Sequence, residues 1–405
     1  MSLQIAGGTY LEVCQLPEWD EVFGSGLRAA VATAALGGDV HLSTYVSSEH
    51  QPQLAARSHG AGFSFDSIQI PDTVSFEYTH GFSTPHISPP PHFLRAHQQT
   101  PVRVTGECVL RFGFIEGDAI VSGGRVVYDP QNPHSPEGFA DNGSTARQLA
   151  VVCNRGEGSR LTGEYEPQKI ARALVGKNNC EAAVVKCGSL GSYVCDGASV
   201  EHVPAYETDS VWPIGSGDVY AAVFALKWTA GSMPASEAAE VASKATAFYC
   251  ESKSLAFPPD FPAPFRNRPL KWSDSPDRRK RVYLAGPFFS MSQIWLINEA
   301  RAALSGQGLE VFSPLHHVGR GPAALVYEPD TKGILEADVV FACVDGLDAG
   351  TLFEIGFAKA NQKQVVVFVQ NERSEDLKML EGSRCSIQKD FVTAVYKCAW
   401  IARTS

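Results

Sequence analysis

Short apolar runs alternate with amphipathic segments along most of the chain, and this pattern predicts α/β structure. In the first half, an Ala-rich helix is predicted over residues 27–36, between strand-like segments over 3–14 and 40–46. Strands that alternate with helices in this way form mostly parallel sheets. Further strands are predicted over 125–129, 149–153, 182–186 and 192–195, and further helices over 219–230 and 236–250.

The last third of the chain repeats this alternation more regularly. Its pattern predicts a doubly wound parallel sheet of the flavodoxin or Rossmann type, whose loops converge at one edge. The predicted strands cover residues 281–286, 310–313, 338–344 and 364–369, and the predicted helices cover 293–307, 327–336 and 353–360.

Two segments interrupt the pattern and are predicted to be irregular. Residues 84–92 are rich in proline, so we expect an exposed loop there rather than a metal site. Residues 314–321 are also predicted to form a loop, which carries His316 and His317. Because no third ligand lies nearby in the sequence, we predict no metal at these histidines.

Proline density also separates two domains. At 405 residues the chain is long enough for two hydrophobic cores. Residues 258–280 hold closely spaced prolines, which exclude a helix and predict a linker. We therefore predict a first domain over 1–257, a Pro-rich linker over 258–280 and a second domain over 281–405.

Composition narrows the classes of partner. A net charge of −10 argues against binding to nucleic acid or to an anionic membrane. There is no apolar run of 18 residues and no N-terminal signal pattern. The ten cysteines are scattered without a C-x-x-C pair, so we expect a reducing, cytoplasmic location.

The strongest candidate chemistry lies in a loop rich in Asp and Gly, residues 345–350, after the predicted strand over 338–344. Loops at the carboxyl ends of parallel strands are where α/β folds bind ligands. Glu354 is predicted in the first turn of the following helix, where the helix dipole favours an ionised carboxylate. An exposed, ionised carboxylate can attack the anomeric carbon of a sugar and form a glycosyl ester.

The run Gly-Thr-x-x-Glu-x-Gly-x-Ala from Gly350, together with residues 282–289, resembles the nucleoside 2-deoxyribosyltransferase family. The resemblance implies that Glu354 is the nucleophile and that Tyr283 donates a hydrogen bond to it. It implies that Asp330 and Asp348 contact the leaving base and the sugar, and that one of them protonates the base. It also implies a homodimer and no cofactor. The implied substrate-binding residues are Gly286, Phe288, Phe289, Gly350 and Thr351.

The first loop of this domain indicates whether the substrate is a nucleoside or a nucleotide. Family members that act on nucleoside monophosphates often carry an Arg in this loop, and residues 287–292 contain none. The resemblance therefore favours a nucleoside over a nucleotide, although Arg320 or Ser290 could take the place of that Arg.

In the first half, Gly215-Ser216-Gly217-Asp218 lies at the start of a predicted helix. Glycines at a helix start expose backbone N–H groups and suit a phosphate. Asp218 could then take the proton of a sugar hydroxyl that attacks a γ-phosphate.

This motif follows Asn154-x-x-Glu157 and Lys186-x-Gly188, and the set resembles the ribokinase-like (PfkB-type) sugar kinases. The resemblance implies a ribokinase-like α/β fold, with ATP and Mg²⁺ as cofactors if the domain is active. The chain departs from that family at Glu12, Arg28 and Trp212, and the last two would occupy space that a small polyol needs. Asp218 is therefore either a working base or a remnant in a domain kept for ligand sensing or assembly. The implied phosphate- and ATP-binding residues are Gly215, Ser216, Gly217, Asn154, Glu157, Lys186 and Gly188.

Three functions remain open from the sequence. The leading one is cleavage or transfer of the N-glycosidic bond of a (deoxy)nucleoside through a glycosyl–Glu354 intermediate, coupled to a kinase-like domain that acts on a sugar or a nucleoside. The alternative is an ATP-dependent sugar or nucleoside kinase whose C-terminal domain binds nucleosides as a regulator. The third is a nucleotide-sensing assembly protein without catalysis.

Overall fold

The computed structural model describes most of the chain. None of the helices in this described part has both the length and the apolar composition needed to cross a membrane. The described residues are 2–132, 134–177, 179–197, 199–272 and 279–404.

The chain divides into two compact units, called unit 1 and unit 2 below. Unit 1 comprises Met1–Thr208 and Trp212–Pro269, and unit 2 comprises Asp209–Val211 and Leu270–Ser405. The division near Pro269 falls inside the segment predicted as a linker.

The first part of that predicted linker belongs to unit 1. The ring of Phe261 lies 5.1 Å from that of Phe257 and 6.1 Å from that of Phe248. The prolines in this part of the predicted linker therefore lie between aromatic side chains that pack on unit 1. Residues 273–278 of the predicted linker are outside the described residues.

Unit 1 alternates strands and helices, as its hydrophobic pattern predicts. Its strands are β1 (Leu3–Ala6), β2 (Leu11–Leu16), β3 (Trp19–Val22), β4 (Val40–Ser47), β5 (Ser64–Ile70), β6 (Ser75–His80), β7 (His86–Ser88), β8 (Val102–Phe112), β9 (Ala119–Asp129), β10 (Thr145–Asn154), β11 (Cys180–Lys186), β12 (Ser192–Cys195) and β13 (Val200–Val203). Its helices are α1 (Gly24–Ala35), α2 (Gln51–Ala61), α3 (Pro91–Ala96), α4 (Arg155–Thr162), α5 (Pro167–Leu174), α6 (Ser216–Ala225) and α7 (Ala235–Ser252), with a π-helical turn over Leu226–Ala230 after α6.

Among the described residues, nine strands form one sheet in the order β13-β12-β11-β10-β9-β8-β1-β4-β5. Neighbours are parallel except for β12, which is antiparallel to both β11 and β13. Side chains alternate between the two faces of a strand, so Ile5 and Ala6 of β1 belong to different buried clusters. Leu27 of α1 and Val219 of α6 share the cluster of Ile5, and Ile170 of α5 shares that of Ala6. Helices therefore cover both faces of the sheet.

A second, smaller sheet of unit 1 has the order β3-β2-β6-β7 and is called the small sheet below. The prediction of an irregular loop over 84–92 is wrong, because His86–Ser88 forms β7, which pairs antiparallel with β6. Pro91 then opens α3. Proline is tolerated there because the first residue of a helix needs no N–H donor inside the helix.

The connection between β8 and β9 is unusually short. Parallel neighbours normally need a crossover of a dozen or more residues, but only Gly113–Asp118 separate these two strands. Seven Cα–Cα steps span at most about 25 Å, whereas a straight strand of this length rises about 33 Å. The two strands must therefore curve, and Gly106 pairs with Gly123 next to an interruption of their register. The sequence does not predict β8, and it predicts only the second half of β9.

Unit 2 contains an all-parallel sheet, which confirms the predicted doubly wound architecture. The sheet has the flavodoxin-like order 2-1-3-4-5 when its strands are counted along the chain. Its strands, in sheet order, are β15 (Glu310–Phe312), β14 (Arg281–Ala285), β16 (Val339–Cys343), β17 (Gln364–Phe368) and β18 (Ser386–Gln388). Its helices are α8 (Met291–Gly306), α9 (Pro314–His317), α10 (Ala323–Glu336), α11 (Ala349–Ala360), α12 (Lys378–Gly382) and α13 (Phe391–Thr404).

Several boundaries in unit 2 differ from the prediction. The predicted loop over 314–321 begins with the short helix α9, which Pro314 opens. Helix α11 begins at Ala349, because the Asp348 side chain accepts a hydrogen bond from the backbone N–H of Thr351 and caps the helix. This start lies four residues before the predicted one, so Glu354 is in the second turn rather than the first.

Candidate functional site

The candidate site of unit 2 lies where β14 and β16 lead into loops at the carboxyl edge of the sheet. Tyr283 is on β14, and the strand register pairs it with Val340 of β16 and Phe312 of β15. Its side chain is fully buried, and its hydroxyl donates a hydrogen bond of 2.6 Å to Oε1 of Glu354 on α11. The structure thus contains the hydrogen bond that the sequence predicts between these two side chains.

Glu354 is not the exposed, ionised carboxylate that the sequence predicts. Its position in the second turn removes it from the positive end of the helix. Burial raises the pKa of Glu354 to about 7; the hydrogen bond from Tyr283 lowers this pKa, and the charges of Asp330 and Asp348 raise it. At neutral pH the carboxyl group therefore exists in both protonation states.

Asp330 supplies a second carboxyl group from α10. Burial raises the pKa of Asp330 to about 6. Within the described part of the chain, its buried Oδ1 atom has no hydrogen-bond partner. A polar atom left in this state is costly unless a ligand satisfies it. Asp330 can therefore exchange a proton with a bound molecule near neutral pH.

Asp348 and its neighbours form the start of α11. Oδ2 of Asp348 accepts hydrogen bonds from the backbone N–H of Thr351 at 2.8 Å and from the Thr351 hydroxyl at 3.0 Å. A Cβ atom on Gly350 would lie 3.1 Å from the same oxygen. Thr351 is buried, so these residues shape the helix start, and their contact with substrate stays a prediction.

The loop after β14 packs closely against its neighbours in unit 2. A Cβ atom on Gly286 would lie 2.7 Å from Cδ1 of Ile297, so only glycine lets β14 and α8 approach this closely. The rings of Phe288 and Phe289 are stacked with centroids 5.8 Å apart, and Phe289 is 68% exposed. Arg320 donates a hydrogen bond of 2.6 Å to the carbonyl oxygen of Phe288. Arg320 thus reaches the loop that lacks an arginine of its own.

A stack of rings behind Tyr283 was not predicted. The rings of Tyr283 and Phe312 are 5.6 Å apart, and those of Phe312 and His317 are 4.9 Å apart; each pair is inclined by 17°. His316 instead lies 2.9 Å from Oδ1 of Asn298 through its Nε2 atom. Both histidines therefore have contacts in unit 2 that need no metal. The sequence predicts Phe312 only as a strand residue. Its stacking on Tyr283 depends on how β14 and β15 pair, which the sequence does not show.

In unit 1, the predicted phosphate-binding residues gather at the carboxyl edge of the large sheet. Asp129, Asn154 and Lys186 end β9, β10 and β11, and Gly188 opens a 3₁₀ turn directly after β11. Nζ of Lys186 donates to Oδ2 of Asp129 at 2.5 Å. The side chains of Asn154 and Glu157 each accept the other's backbone N–H at 2.9 Å, forming a capping box that starts α4.

The glycine motif at the start of α6 lies beside Lys186. Gly215 has a left-handed backbone with φ of 77° and caps the helix. A Cβ atom on Gly217 would lie 3.3 Å from Nζ of Lys186. Oδ1 of Asp218 accepts a hydrogen bond of 2.6 Å from Nε2 of Gln131. The predicted motif residues are thus brought together, but their side chains pair with one another.

Arg28 occupies the centre of this group. It is fully buried, and Nη1 donates to Oε1 of Glu12 at 3.0 Å and to Oδ2 of Asp218 at 2.8 Å. Nη2 pairs with the other oxygen of Glu12. A Cβ atom on Gly215 would lie 2.2 Å from Cζ of Arg28, so the guanidinium group lies directly over the glycine motif. Trp212, the other departure that the sequence identifies, is also buried.

The side chains of unit 1 do not fit ATP and Mg²⁺ in this arrangement. A magnesium ion needs carboxylate oxygens, but Asp129 is bound to Lys186 and Asp218 to Arg28. The N–H groups at the start of α6 alone would leave a phosphate without a free cation beside it. Lys186 and Arg28 are both held by carboxylates. No step of phosphoryl transfer is therefore assigned to this site.

Comparisons with known families match both halves of the chain. Residues 122–261 match the family model of the pfkB family carbohydrate kinases, and residues 282–385 match that of the nucleoside 2-deoxyribosyltransferases. These matches confirm the two resemblances that the motifs indicate. Both families are named for enzymes that transfer a chemical group.

Individual relatives are distant. Over 102 residues the chain is 30% identical to an uncharacterized protein of Ureaplasma parvum serovar 3, and the match covers 22% of this chain and 65% of that protein. The chain therefore spans about two thirds of the length of this relative.

Solved structures give only weak likenesses. Fructokinase from Vibrio cholerae has a TM-score of 0.49 at 14% identity, covering 63% of this chain and 95% of the other. Ribokinase from Thermotoga maritima has a TM-score of 0.46 at 16% identity, covering 64% and 96%. Adenosine kinase from Sinorhizobium meliloti has a TM-score of 0.45 at 15% identity, covering 63% and 97%. These values carry no information about substrate or activity.

Proposed function

We propose that unit 2 cleaves or exchanges the N-glycosidic bond of a nucleoside or deoxynucleoside, with Glu354 as the nucleophile. The observation that supports this most directly is the hydrogen bond from buried Tyr283 to Glu354, whose pKa is raised to about 7. The match of residues 282–385 to the nucleoside 2-deoxyribosyltransferases supports the same reaction class.

In the first step, an ionised oxygen of Glu354 forms a bond to the anomeric carbon while the carbon–nitrogen bond to the base breaks. The bonding electrons leave with the base, and Asp330 gives its proton to the base nitrogen. Glu354 becomes a neutral ester and Asp330 becomes a carboxylate, so the charge is conserved.

In the second step, water or the nitrogen of a second base attacks the anomeric carbon of the ester. Asp330 takes the proton of this acceptor, and Glu354 leaves as a carboxylate. Water as the acceptor gives hydrolysis, and a second base gives transfer.

Asp330 suits the acid role better than Asp348. Asp330 has a buried oxygen without a partner among the described residues and a pKa raised to about 6, so it retains a proton in part of the population. One oxygen of Asp348 instead accepts two hydrogen bonds from Thr351. We therefore assign the proton transfer to Asp330 and the shaping of the loop to Asp348.

With these pKa values, only a minority of molecules has both carboxyl groups in the protonation states that the reaction needs. The reaction needs Glu354 ionised and Asp330 protonated, although the pKa is about 7 for the first and about 6 for the second. The required pair of states is most populated between these two values, near pH 6.5, and even there it is a minority. We expect a narrow, bell-shaped dependence of kcat/KM on pH.

The base is proposed to bind between the loop after β14 and the start of α11. Phe288 and Phe289 present stacked rings, one of them largely exposed, and a nucleobase can stack on such a surface. The substrate is proposed to be a nucleoside rather than a nucleotide, as the first loop suggests. Arg320 lies against this loop, so nucleoside 5′-monophosphates belong in the same substrate panel.

The experiment uses Glu354→Gln, which removes the nucleophilic charge with little change of shape. We incubate the full chain with a panel of nucleosides, deoxynucleosides and their 5′-monophosphates and measure released base and transfer products by mass spectrometry. The wild type should release base, and Glu354→Gln should lose at least about 1,000-fold of this activity. Glu381→Gln is the control, because Glu381 is an exposed carboxylate on α12 of the same unit. Activity retained in Glu354→Gln would rule out the assigned nucleophile.

A further inference from the structure

The buried charges of unit 1 join three separate elements. Glu12 lies on β2 of the small sheet, Arg28 on α1 and Asp218 on α6. Arg28 is fully buried, and the side chains of Glu12 and Asp218 are 7% and 14% exposed. The Glu12 carboxylate also accepts the backbone N–H of Gly24 at 3.1 Å. This cluster, called the Arg28 triad below, connects the small sheet to two helices that pack on the large sheet.

We infer that the Arg28 triad permanently fastens the small sheet to α1 and α6. Unit 1 transfers no phosphoryl group, because the triad fills the place where the transfer would occur. Asp218, which has the position of a catalytic base, therefore serves in a structural ion pair with Arg28.

The hydrogen bonds of Asp218 are the first observation that supports this inference, because they leave it unable to act as a general base. A general base needs an oxygen within hydrogen-bond distance of the substrate hydroxyl. Both oxygens of Asp218 are already used, Oδ2 by Arg28 at 2.8 Å and Oδ1 by Gln131 at 2.6 Å. A substrate hydroxyl would have to displace a buried, charge-assisted hydrogen bond, which is stronger than a neutral one.

The space above the glycine motif carries the second part. Cζ of Arg28 would lie only 2.2 Å from a Cβ atom on Gly215, so the guanidinium group packs directly against the backbone of the glycine motif and leaves no room for a phosphate on that side. The guanidinium group also lies over the rings of Phe23 at 5.0 Å and Tyr249 at 5.9 Å. Rings on its sides and carboxylates at Nη1 and Nη2 hold it in place, so it cannot swing out as an exposed arginine would.

The charge balance carries the third part. One arginine faces two carboxylates, and removing it would leave two negative charges buried near each other. Breaking a buried pair on one side is strongly destabilising, whereas replacing the charged groups together is much less so. The Arg28 triad should therefore behave as a unit of stability and not as a switch that nucleotides open.

Arg57 offers a matched control, because it also joins the small sheet to a helix. Arg57 lies on α2 and pairs with Glu21 of β3, but the two side chains are 29% and 43% exposed. An exposed pair of this kind contributes little to stability. The two arginines thus differ in burial while their glutamate partners, Glu12 and Glu21, lie on the same sheet.

The first test measures phosphoryl transfer by the full chain. Wild type and Asp218→Asn are incubated with ATP, Mg²⁺ and a panel of sugars and nucleosides, and ADP and phosphorylated products are measured by mass spectrometry. We expect no more product from the wild type than from Asp218→Asn. Sugar- or nucleoside-dependent ADP formation that disappears in Asp218→Asn would overturn the inference.

The second test measures the fastening itself by hydrogen–deuterium exchange and thermal unfolding. Arg28→Met should lower the Tm of unit 1 by on the order of 10 °C and speed exchange in β2, β3 and β6. Arg57→Met should change both by much less. In the wild type, ATP with Mg²⁺ should leave exchange in these strands unchanged, and slower exchange on their addition would contradict a permanent fastening.

Arg28→Met could be too unstable to purify, so the double variant Glu12→Gln/Arg28→Met is included. It removes one negative charge together with the positive one, and its Tm should lie between those of Arg28→Met and the wild type. If Arg28→Met is as stable as Arg57→Met, the Arg28 triad fastens nothing and the inference fails.

Discussion

At the scale of single residues, the contact between Tyr283 and Glu354 is the feature that experiment can test most directly. The Tyr283 hydroxyl donates to Glu354 at 2.6 Å, and this hydrogen bond lowers the pKa of Glu354 against the effect of burial. Tyr283→Phe removes the donor, so the pKa of Glu354 should rise. Because this pKa lies above that of Asp330, the upper edge of the bell should move to higher pH and the bell should become lower. A hydrogen bond to a charged group contributes about 1.5–3 kcal/mol, so kcat should fall roughly 10- to 100-fold at neutral pH.

The pH profile of kcat/KM checks this prediction. Tyr396→Phe, a change of the same kind on α13, is the control and should leave the profile in place. A lower kcat with an unmoved upper edge of the bell would mean that Tyr283 acts on the fold and not on the charge of Glu354.

Asp330 gives a second prediction at this scale. Burial raises the pKa of Asp330 to about 6, which is below that of Glu354. Loss of the Asp330 proton should therefore produce the falling limb, although the activity starts to fall only above the pKa of Glu354. Asp330→Asn should remove this limb and lower kcat by about 100- to 10,000-fold, the usual contribution of a general acid. A nucleoside whose base leaves without protonation should lose much less. Equal losses for both kinds of substrate would contradict the acid role.

At the scale of elements, the approach of α10 to the stacked rings sets the position of Asp330. A Cβ atom on Gly333 would lie 2.7 Å from Cε1 of Phe312, and Asp330 lies one turn earlier on the same helix. Gly333→Ala should push α10 away from Phe312, because the ring is held between Tyr283 and His317. Overpacking typically costs about 1–3 kcal/mol, so we expect a lower Tm and a lower kcat.

Thermal unfolding and steady-state kinetics measure these two effects. Gly306→Ala is the control, because a Cβ atom on this α8 residue would meet no atom within 4 Å. It should leave activity unchanged. A Gly333→Ala variant with wild-type kcat would show that α10 does not position Asp330.

The elements also show what the sequence could predict. The order of strands and helices in unit 2 follows from the hydrophobic pattern, and the hydrogen-bonded pair Tyr283–Glu354 follows from a resemblance. The burial of Glu354 does not, because it depends on where α11 begins and on what packs around it. β18 was missed for a related reason, since a three-residue strand has too few positions to show alternation.

In unit 1 the same limit applies more strongly. The sequence identifies Arg28 and Trp212 as departures and predicts that they take up substrate space. It does not reveal that Arg28 pairs with Glu12 and Asp218, because these residues are brought together by β2, α1 and α6 from distant parts of the chain. Pairing between side chains on different elements is a property of the fold and has no local signal.

At the scale of the whole molecule, the oligomeric state remains a prediction. The family resemblance implies a homodimer, and α10 and α11 expose the neighbouring rings of Tyr327 and Phe353, whose centroids are 6.2 Å apart. Each of the two side chains is about half exposed, at 53% and 51%. Adjacent exposed aromatic rings are typical of protein interfaces. Light scattering after size exclusion should give twice the chain mass, and Phe353→Ser should shift it towards the monomer. A monomeric wild type at micromolar concentration would contradict this.

The six residues between β8 and β9 are tied to the rest of unit 1 at two points. Tyr10 holds Glu116 in this connection at 2.9 Å, and Arg111 holds Asp118 at 3.0 Å. Removing a residue between Gly113 and Glu116 would displace one or both of these side chains from their partners, because each partner is fixed on its own segment. Such a deletion should therefore lower the stability of unit 1, and thermal unfolding measures the loss.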